Sequence, residues 1–305
     1  MSATRGNRPP PAAAPDRSWT VLELLRWTSE HFAARGIEGA RLDAECLLSH
    51  ALGVPRLRLY LDFEKPVLPA ERAVFRELVR RRADERVPVS LLIGEREFWS
   101  LPIRVTEAVL TPRPETETLV SVALDRLPEG KPLRVLEIGT GSGAVALALA
   151  KERPEIVLTA TDISQEALKV AQENAERLDL AGRIRWLQGD GLDPVKGESF
   201  DLVVSNPPYV AEEERAALPP ELAHEPDVAL FGGPDGTQLL RRIALGVGQV
   251  LALGGWLALE HGPTQGAIVA SYCREAGLVD VATRRDLAER PRVTSGRRPG
   301  DGEKS

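Results

Sequence analysis

The fold of this chain is indicated by one segment, Leu136-Glu137-Ile138-Gly139-Thr140-Gly141-Ser142-Gly143-Ala144. Its first residues form an apolar run typical of a buried strand, and its glycine-rich part opens a predicted helix. Glycines let the backbone approach a ligand closely, and a helix N-terminus favours a negative group. The segment is therefore predicted to be the strand, loop and helix of a cofactor-binding α/β domain.

Strands and helices alternate on both sides of this segment. Helices are predicted to begin at Gly143, Gln165 and Gln238, with another before Gly277. The predicted strands are Arg134–Ile138, Val157–Thr161, Ile184–Gln188, Phe200–Ser205 and Gly255–Glu260. Such alternation predicts a doubly wound, mostly parallel sheet of the Rossmann-like class.

The glycine loop alone leaves the cofactor open. Gly139-x-Gly141-x-x-Ala144 matches the dinucleotide fingerprint, so a nicotinamide or flavin enzyme is one interpretation. Asp162 ends the next strand about 20 residues on, where an acidic side chain can bind ribose hydroxyls. The glycines could also serve only a tight turn between strand and helix.

A second motif, Asn206-Pro207-Pro208-Tyr209, directly follows the apolar run Phe200–Ser205. It therefore lies at the carboxyl end of a strand, where open α/β sheets bind ligands. Two prolines remove two backbone donors and stiffen the turn. The Asn206 side-chain carbonyl and the Pro207 backbone carbonyl could accept the two hydrogens of a planar NH₂ group, and Tyr209 could stack on it. The motif suits methylation of an amide or amine nitrogen; a simple proline-rich loop is the alternative.

Two features favour S-adenosylmethionine over a dinucleotide. The Asn206 turn is one of them. The other is that a sulfonium donor has no phosphates, which leaves the loop Gly139–Gly143 to surround its methionine and sugar parts. Asp190, in Gly189-Asp190-Gly191 at the end of a third strand, is predicted to contact the adenine, although an ordinary turn aspartate is equally compatible.

Composition excludes several classes of protein. The 305 residues are 43% hydrophobic and 28% charged, with a net charge of -6, so no broad nucleic-acid footprint is evident. Cys46 and Cys273 are far apart and the four histidines lack ligand spacing, which predicts neither disulfides nor a metal site. No apolar run is long enough to span a membrane, and the predicted location is the cytoplasm.

The predicted organisation has five parts. They are a disordered tail (1–16), a helical domain (17–87), a β-hairpin linker (88–112), the Rossmann-like domain (113–296) and a flexible tail (297–305). In the helical domain, Thr20 and Glu23 match a capping box, a second helix ends at Gly53 and a third begins near Pro69. The apolar run Leu91-Leu92-Ile93 is predicted to be a strand.

With these motifs in place, the chain resembles the HemK/PrmC family of release-factor glutamine methyltransferases from about Trp19 to Arg292. The turn Asn206–Tyr209 is also shared with adenine-N6 DNA methyltransferases. The further segments that carry the resemblance are Arg41–Leu48, Thr111–Glu117, Ile138–Ala144, Glu225-Pro226 with Leu230–Gly236, and Leu259–Gly262.

The resemblance implies a class I S-adenosylmethionine-dependent fold and methylation of the glutamine in the Gly-Gly-Gln motif of bacterial class I release factors. The helical domain would dock the release factor, and a monomer is expected. The predicted donor-binding residues are Gly139, Thr140, Gly141, Ser142, Gly143, Asp162, Asp190, Gly191 and Asn206. The predicted substrate-binding residues are Asn206, Pro207, Pro208 and Tyr209, of which Asn206, Pro207 and Tyr209 are predicted to be catalytic.

Three positions depart from the family pattern. Glu137 stands where an aspartate is common, Gly191 replaces a bulkier and often aromatic residue, and Thr111 stands where an aliphatic residue is usual. Other functions stay open: methylation of a ribosomal-protein glutamine, adenine-N6 methylation of nucleic acid, and a dinucleotide-binding oxidoreductase.

Overall fold

The computed structural model describes residues 18–302. The chain divides after Ile93 into two compact units, Met1–Ile93 and Gly94–Ser305. The predicted disordered tail, 1–16, lies outside the described residues. The first unit extends beyond the boundary predicted at residue 87.

The first unit is helical. Its helices are α1 (Val21–Ala33), α2 (Ala40–Leu52), α3 (Arg56–Leu61), α4 (Pro69–Asp84) and α5 (Val89–Ile93). The predicted capping box is confirmed, since Thr20 and Glu23 each accept a hydrogen bond from the other's backbone N–H. Leu25, Phe32, Leu47 and Leu48 are fully buried and form the centre of this unit's core.

The strand predicted for Leu91-Leu92-Ile93 is wrong, because these residues belong to helix α5. A short apolar run does not distinguish a strand from a buried helical turn, and here Leu92 is buried in the helical core. The predicted hairpin begins just afterwards, with β1 (Glu95–Phe98) antiparallel to β2 (Leu101–Arg104). It belongs to the second unit, so the predicted linker 88–112 spans both units.

The second unit is built on a seven-stranded sheet of order β5-β4-β3-β6-β7-β9-β8. Its strands are β3 (Arg134–Ile138), β4 (Val157–Asp162), β5 (Ile184–Gln188), β6 (Phe200–Ser205), β7 (Leu251–Glu260), β8 (Val279–Arg285) and β9 (Pro291–Arg297). Its helices are α6 (Glu117–Leu124), α7 (Ala144–Glu152), α8 (Gln165–Arg177), α9 (Asp227–Leu230), α10 (Gln238–Gly246) and α11 (Gly266–Glu275). Strands β3 to β7 pair in parallel, and β9 is antiparallel to both of its neighbours. The predicted mostly parallel sheet is confirmed.

The C-terminal part of the chain forms two strands, β8 and β9, that the sequence did not predict. The predicted flexible tail at 297–305 begins inside β9, because Arg297 pairs with Trp256 and Arg298 N donates to Gly255 O at 2.8 Å. Strand β9 is polar in sequence yet mostly buried, since helices pack on it and Thr294 and Ser295 lie within the sheet.

Strand β3 lies at the point where the chain changes direction across the sheet. Ile138, its last residue, pairs with Thr161 of β4 on one side and with Ser205 of β6 on the other. Ligands of open α/β sheets bind in the crevice at this switch point. The topology therefore brings the glycine loop, Asp162 and Asn206 to one edge. Among residues 18–302, no helix combines the length and apolar character needed to cross a lipid bilayer.

Candidate active site

A cavity of about 430 Å³ lies at this edge of the sheet. The predicted site residues that line it are Gly139, Thr140, Gly141, Ser142, Asp162, Asp190, Gly191, Asn206 and Pro208. Gly143, Pro207 and Tyr209 are not part of its lining. The structure thus brings the predicted donor and acceptor segments to one cavity.

The glycine loop is shaped by backbone conformation. Gly139 and Gly141 have φ values of 71° and 55°, in the left-handed region that favours glycine. Gly139 N and Thr140 N donate to the Thr161 carbonyl at 2.9 and 3.0 Å, which fixes the loop to β4. The loop backbone therefore forms the wall of the cavity without side chains in between.

Gly143 serves packing and not the cavity lining. It is the N-cap of α7, and a Cβ atom there would lie 3.1 Å from Ala171 Cβ on α8 and 3.3 Å from Leu147 Cδ1. Its glycine allows α7 and α8 to approach each other. The packing role is separate from the predicted contact between Gly143 and the donor, which stays a prediction.

Asp162 supports the loop from the end of β4. Its Oδ2 accepts a hydrogen bond from Gly141 N at 2.8 Å, and its Oδ1 accepts one from Ser164 N at 2.9 Å. Burial raises the pKa of the Asp162 carboxyl, while these backbone N–H groups act in the opposite direction. Each carboxylate oxygen keeps lone pairs for a ligand hydroxyl, because an ionised carboxylate offers about four acceptor positions.

Asp190 is paired with a residue that the sequence did not indicate. Arg242 Nη1 donates to Asp190 Oδ2 at 2.8 Å, and Nη2 contacts Oδ1. A Cβ atom at Gly191 would lie 3.0 Å from Arg242 Nη2, so glycine leaves room for the guanidinium. Arg242 lines the cavity and occupies the place of the bulkier residue expected at Gly191.

The charges of the lining indicate the kind of ligand that fits. Its cationic residues within the described part of the chain are Arg113 and Arg242, and each is paired with a carboxylate. Arg113 Nη2 donates to Glu225 Oε2 at 2.5 Å, and Thr111 N donates to Glu225 Oε1 at 3.3 Å. With both guanidinium groups paired and the Asp162 carboxylate in the wall, the cavity suits a cationic sulfonium better than a pyrophosphate.

Asn206 reaches the cavity from the end of β6. Its Nδ2 donates to Thr116 Oγ1 at 3.2 Å, and Thr116 also lines the cavity. This leaves the Oδ1 carbonyl oxygen of Asn206 as the group available to accept a hydrogen bond from a ligand. Thr116 lies in the Pro114–Thr116 turn before α6, and its contact with Asn206 joins residues 90 positions apart in the chain.

The turn after Asn206 is held by close backbone packing. Cβ atoms at Gly232 and Gly236 would lie 2.4 Å from the Pro208 carbonyl oxygen and 2.2 Å from the Tyr209 carbonyl oxygen. The Tyr209 carbonyl also accepts a hydrogen bond from Gln265 Nε2 at 2.9 Å. The segment Leu230–Gly236 therefore needs glycines because it packs directly on the turn.

Tyr209 lies behind the turn. Its side chain is partly buried against the core between the sheet and α10 and α11, and its hydroxyl lies 3.5 Å from Arg292 Nη1. Burial and the Glu260 charge raise the pKa of Tyr209 to about 12. The predicted stacking on a substrate is therefore not seen in the lining of this cavity, and it stays a prediction.

Glu137, which stands where an aspartate is common in the family, lines the cavity. Its Oε2 accepts hydrogen bonds from Thr140 Oγ1 at 2.6 Å and from Ala146 N at 3.1 Å. Burial raises the pKa of Glu137 to about 8. The longer side chain thus connects β3 with the loop and with the first turn of α7.

Replacing Glu137 by glutamine should stabilise the fold more at pH 8 than at pH 5. Because the folded-state pKa is raised from 4.5 to about 8, the folded state holds this proton more tightly, and stability falls as pH rises through that window. Glutamine stays neutral and can still accept from Thr140 and Ala146. We expect a gain of about 1–3 kcal/mol at pH 8, in the range for an uncompensated buried polar group, and little at pH 5.

Denaturant unfolding of both proteins at the two pH values measures this difference. Glu166→Gln is the matched control, because Glu166 is an exposed carboxylate on α8. A gain from Glu137→Gln that is the same at pH 5 and pH 8 would show that Glu137 is ionised in the folded state throughout.

Within the described residues, no group of three or more histidine, cysteine, aspartate or glutamate side chains is arranged to hold a metal ion. Cys46 and Cys273 are both free thiols.

Comparison with known proteins agrees with the family resemblance. Residues 23–94 match the model of the PrmC N-terminal domain, and residues 116–230 match that of the methyltransferase small domain. The solved hMettl16 catalytic domain, in complex with an RNA hairpin, has a TM-score of 0.54 at 16% identity and covers 77% of this chain and 82% of its own, which shows a shared fold.

Two curated relatives match over most of their length. The release factor glutamine methyltransferase of Rhodopirellula baltica is 44% identical over 289 residues, or 92% of this chain and 97% of that protein. That of Xylella fastidiosa (strain Temecula1) is 47% identical over 260 residues, or 85% and 94%. With this identity across both of its units, the chain belongs to the HemK/PrmC family of release factor glutamine methyltransferases.

Proposed function

We propose that this protein transfers a methyl group from S-adenosylmethionine to the side-chain amide nitrogen of the glutamine in the Gly-Gly-Gln motif of bacterial class I release factors. The observation that carries the proposal is the orientation of Asn206. Its NH₂ group is held by Thr116, so its carbonyl oxygen can accept an N–H from an amide in the cavity formed by the glycine loop.

S-adenosylmethionine, when bound, supplies an electrophilic methyl group. The lining fits it in three respects: the loop 139–142 offers backbone at close range, Asp162 offers lone pairs for ribose hydroxyls, and the two arginines are already paired with carboxylates. The assignment of the donor rests on this chemistry and on the family.

The chain's own residues would act mainly by positioning. Asn206 Oδ1 accepts one N–H of the glutamine amide and holds the nitrogen lone pair towards the methyl group, at the separation of roughly 3–3.5 Å needed for reaction. This hydrogen bond strengthens as positive charge develops on the nitrogen, which lowers the barrier selectively. When the donor is bound, transfer would form the N–C bond as the donor's S–C bond breaks, and the nitrogen would then lose a proton to water. The predicted role of the Pro207 carbonyl as a second acceptor stays a prediction.

The helical unit is proposed to bind the release factor outside the glutamine motif. Trp27 is 48% exposed and stacks on His31 with 4.7 Å between ring centroids, which gives this unit an aromatic surface of the kind enriched at protein interfaces. Arg76 lies beside this surface and would suit an acidic partner segment, whereas the neighbouring Arg35 and Arg80 are paired with carboxylates of the same unit.

A comparison of acceptors tests the proposal. The protein is incubated with labelled S-adenosylmethionine in three separate reactions, which contain a class I release factor, a ribosomal-protein fraction or an adenine-containing DNA duplex. We expect label in the release factor only. Transfer to a ribosomal protein or to DNA would replace the proposed acceptor, and binding of NADH without binding of S-adenosylmethionine would replace the proposed reaction.

Replacing Tyr209 by alanine should weaken acceptor use more than donor binding. The ring fills space beside the acceptor turn, so its loss should loosen the turn and raise KM for the release factor by about tenfold, besides lowering stability by about 3 kcal/mol. Tyr209→Phe keeps the ring and should keep KM within a small factor. Steady-state kinetics and donor titration separate the two effects; a weakened donor affinity with unchanged KM would assign Tyr209 to the donor side.

A further inference from the structure

The buried carboxylate Glu260 lies next to the acceptor turn and has no assigned role. It is the last residue of β7 and is 0% exposed. In the parallel register, Ser205 of β6 pairs with Leu259 of β7, so the residues that follow them, Asn206 and Glu260, are neighbours at this edge of the sheet. Glu260 does not line the cavity; it lies behind Asn206 and Thr116, which do.

Neither oxygen of Glu260 has a hydrogen-bond partner of ordinary geometry. The donors beside it are the hydroxyl groups of Thr116 and Tyr209, and both lower its pKa against the effect of burial. The Arg292 guanidinium is also near, but it donates to Asp286 Oδ2 at 3.2 and 3.3 Å. A buried carboxylate without donors is strongly unfavourable, so the two hydroxyl groups are its natural partners.

The direction of these hydrogen bonds follows from the chemistry of the groups. An ionised carboxylate can only accept, so Thr116 must point its hydroxyl hydrogen at Glu260. Thr116 Oγ1 is then left with lone pairs alone and can only accept from Asn206. This requires Asn206 to present its NH₂ group, in agreement with the 3.2 Å contact between Nδ2 and Oγ1.

We infer that Glu260 is a positioning residue, which acts through Thr116 to hold the Asn206 carbonyl oxygen towards the acceptor amide. The inference rests on the proposed function for its catalytic consequence, but the orientation of Asn206 is a property of the protein alone. Without the carboxylate, the Thr116 hydroxyl could donate to Asn206 Oδ1. The Asn206 amide could then turn its NH₂ group towards the cavity, where it would oppose the N–H of the substrate.

A double-mutant cycle tests the pathway through Thr116. Glu260→Leu and Thr116→Val should each lower kcat about tenfold, as expected for loss of one positioning hydrogen bond, with little change in donor affinity or melting temperature. The double variant should be no worse than either single variant, because both break the same chain of contacts. Thr116→Ser keeps the hydroxyl and should keep most of the activity. Additive losses, or normal kcat in Glu260→Leu, would overturn the inference.

A second readout is independent of turnover and so of the proposed function. The side-chain NH₂ resonances of Asn206 in ¹⁵N-labelled protein can be assigned by their loss in Asn206→Asp. We expect Thr116→Val and Glu260→Leu to shift this resonance pair in the same direction. If Glu260→Leu leaves the pair unchanged, Glu260 does not position Asn206, whatever acceptor the enzyme methylates.

The pH profile gives a third test. Burial raises the pKa of Glu260 to about 7, with Arg292 lowering it and Glu115 raising it; Tyr209 and the adjacent His261 are the other titratable groups nearby. A protonated Glu260 can itself donate to Thr116, so wild-type kcat should fall as pH drops below about 7. This decrease of kcat at low pH should be absent in Glu260→Gln. If the decrease persists in that variant, another group causes it.

Discussion

Replacing Asn206 by alanine should lower turnover on the release factor by on the order of 10²-fold or more, the effect of removing one preorganised polar group from a reaction centre. Asn206 is the residue that joins the acceptor turn to the cavity, and its carbonyl oxygen is free because Thr116 holds its NH₂ group. Donor affinity should change little, since the glycine loop and Asp162 are held by contacts that do not involve Asn206.

Single-turnover kinetics, with donor binding measured by calorimetry, distinguish these effects. Gln188→Ala is the matched control: it removes an amide whose Nε2 donates only to the Ile163 carbonyl, at the end of β5 and outside the cavity lining. Turnover of Asn206→Ala within a small factor of the wild type would remove Asn206 from the mechanism.

Replacing Asp162 by alanine should weaken S-adenosylmethionine binding by about 10²-fold or more. The change leaves Gly141 N and Ser164 N without their acceptor, at a cost of about 1–3 kcal/mol for each group that stays buried. It also removes the lone pairs offered to the ribose. The loop 139–142 should no longer be held in its observed conformation. The change therefore affects both the loop backbone that lines the cavity and the carboxylate contact with the ribose.

Donor titration of Asp162→Ala measures this loss, and Asp193→Ala is the control because Asp193 is an exposed aspartate paired with Lys196. Asp162→Asn should be intermediate, since its amide keeps one acceptor oxygen. An unchanged donor dissociation constant in Asp162→Ala would show that the donor binds elsewhere than beside β4.

Features set by local sequence were predictable. The buried parallel strands appear as apolar runs, and their carboxyl ends carry the glycine loop, Asp162 and Asn206, which the parallel register brings together. By contrast, β9 is buried although it contains Arg292, Thr294 and Ser295. This strand was not predicted because its sequence is polar. Its burial comes from helices that pack on it and not from its own hydrophobicity.

Contacts between distant segments were not predictable from the sequence. Arg242 contacts Asp190 from α10, and no local pattern marks it. Thr116 contacts Asn206 from the turn before α6, and the segment Thr111–Glu117 marks its position but not its partner. Gly143 continues the glycine run in sequence, but only the structure shows that it also faces Ala171 of α8. A packing role of this kind is not visible in a local sequence pattern.

The most direct test of the proposed function is the peptide mass of a release factor after incubation with this protein and S-adenosylmethionine. We predict a gain of one methyl group, located on the glutamine of the Gly-Gly-Gln motif, and no gain in a factor whose glutamine is replaced there. A methyl group on another residue, or no transfer although the donor binds, would contradict the proposed acceptor.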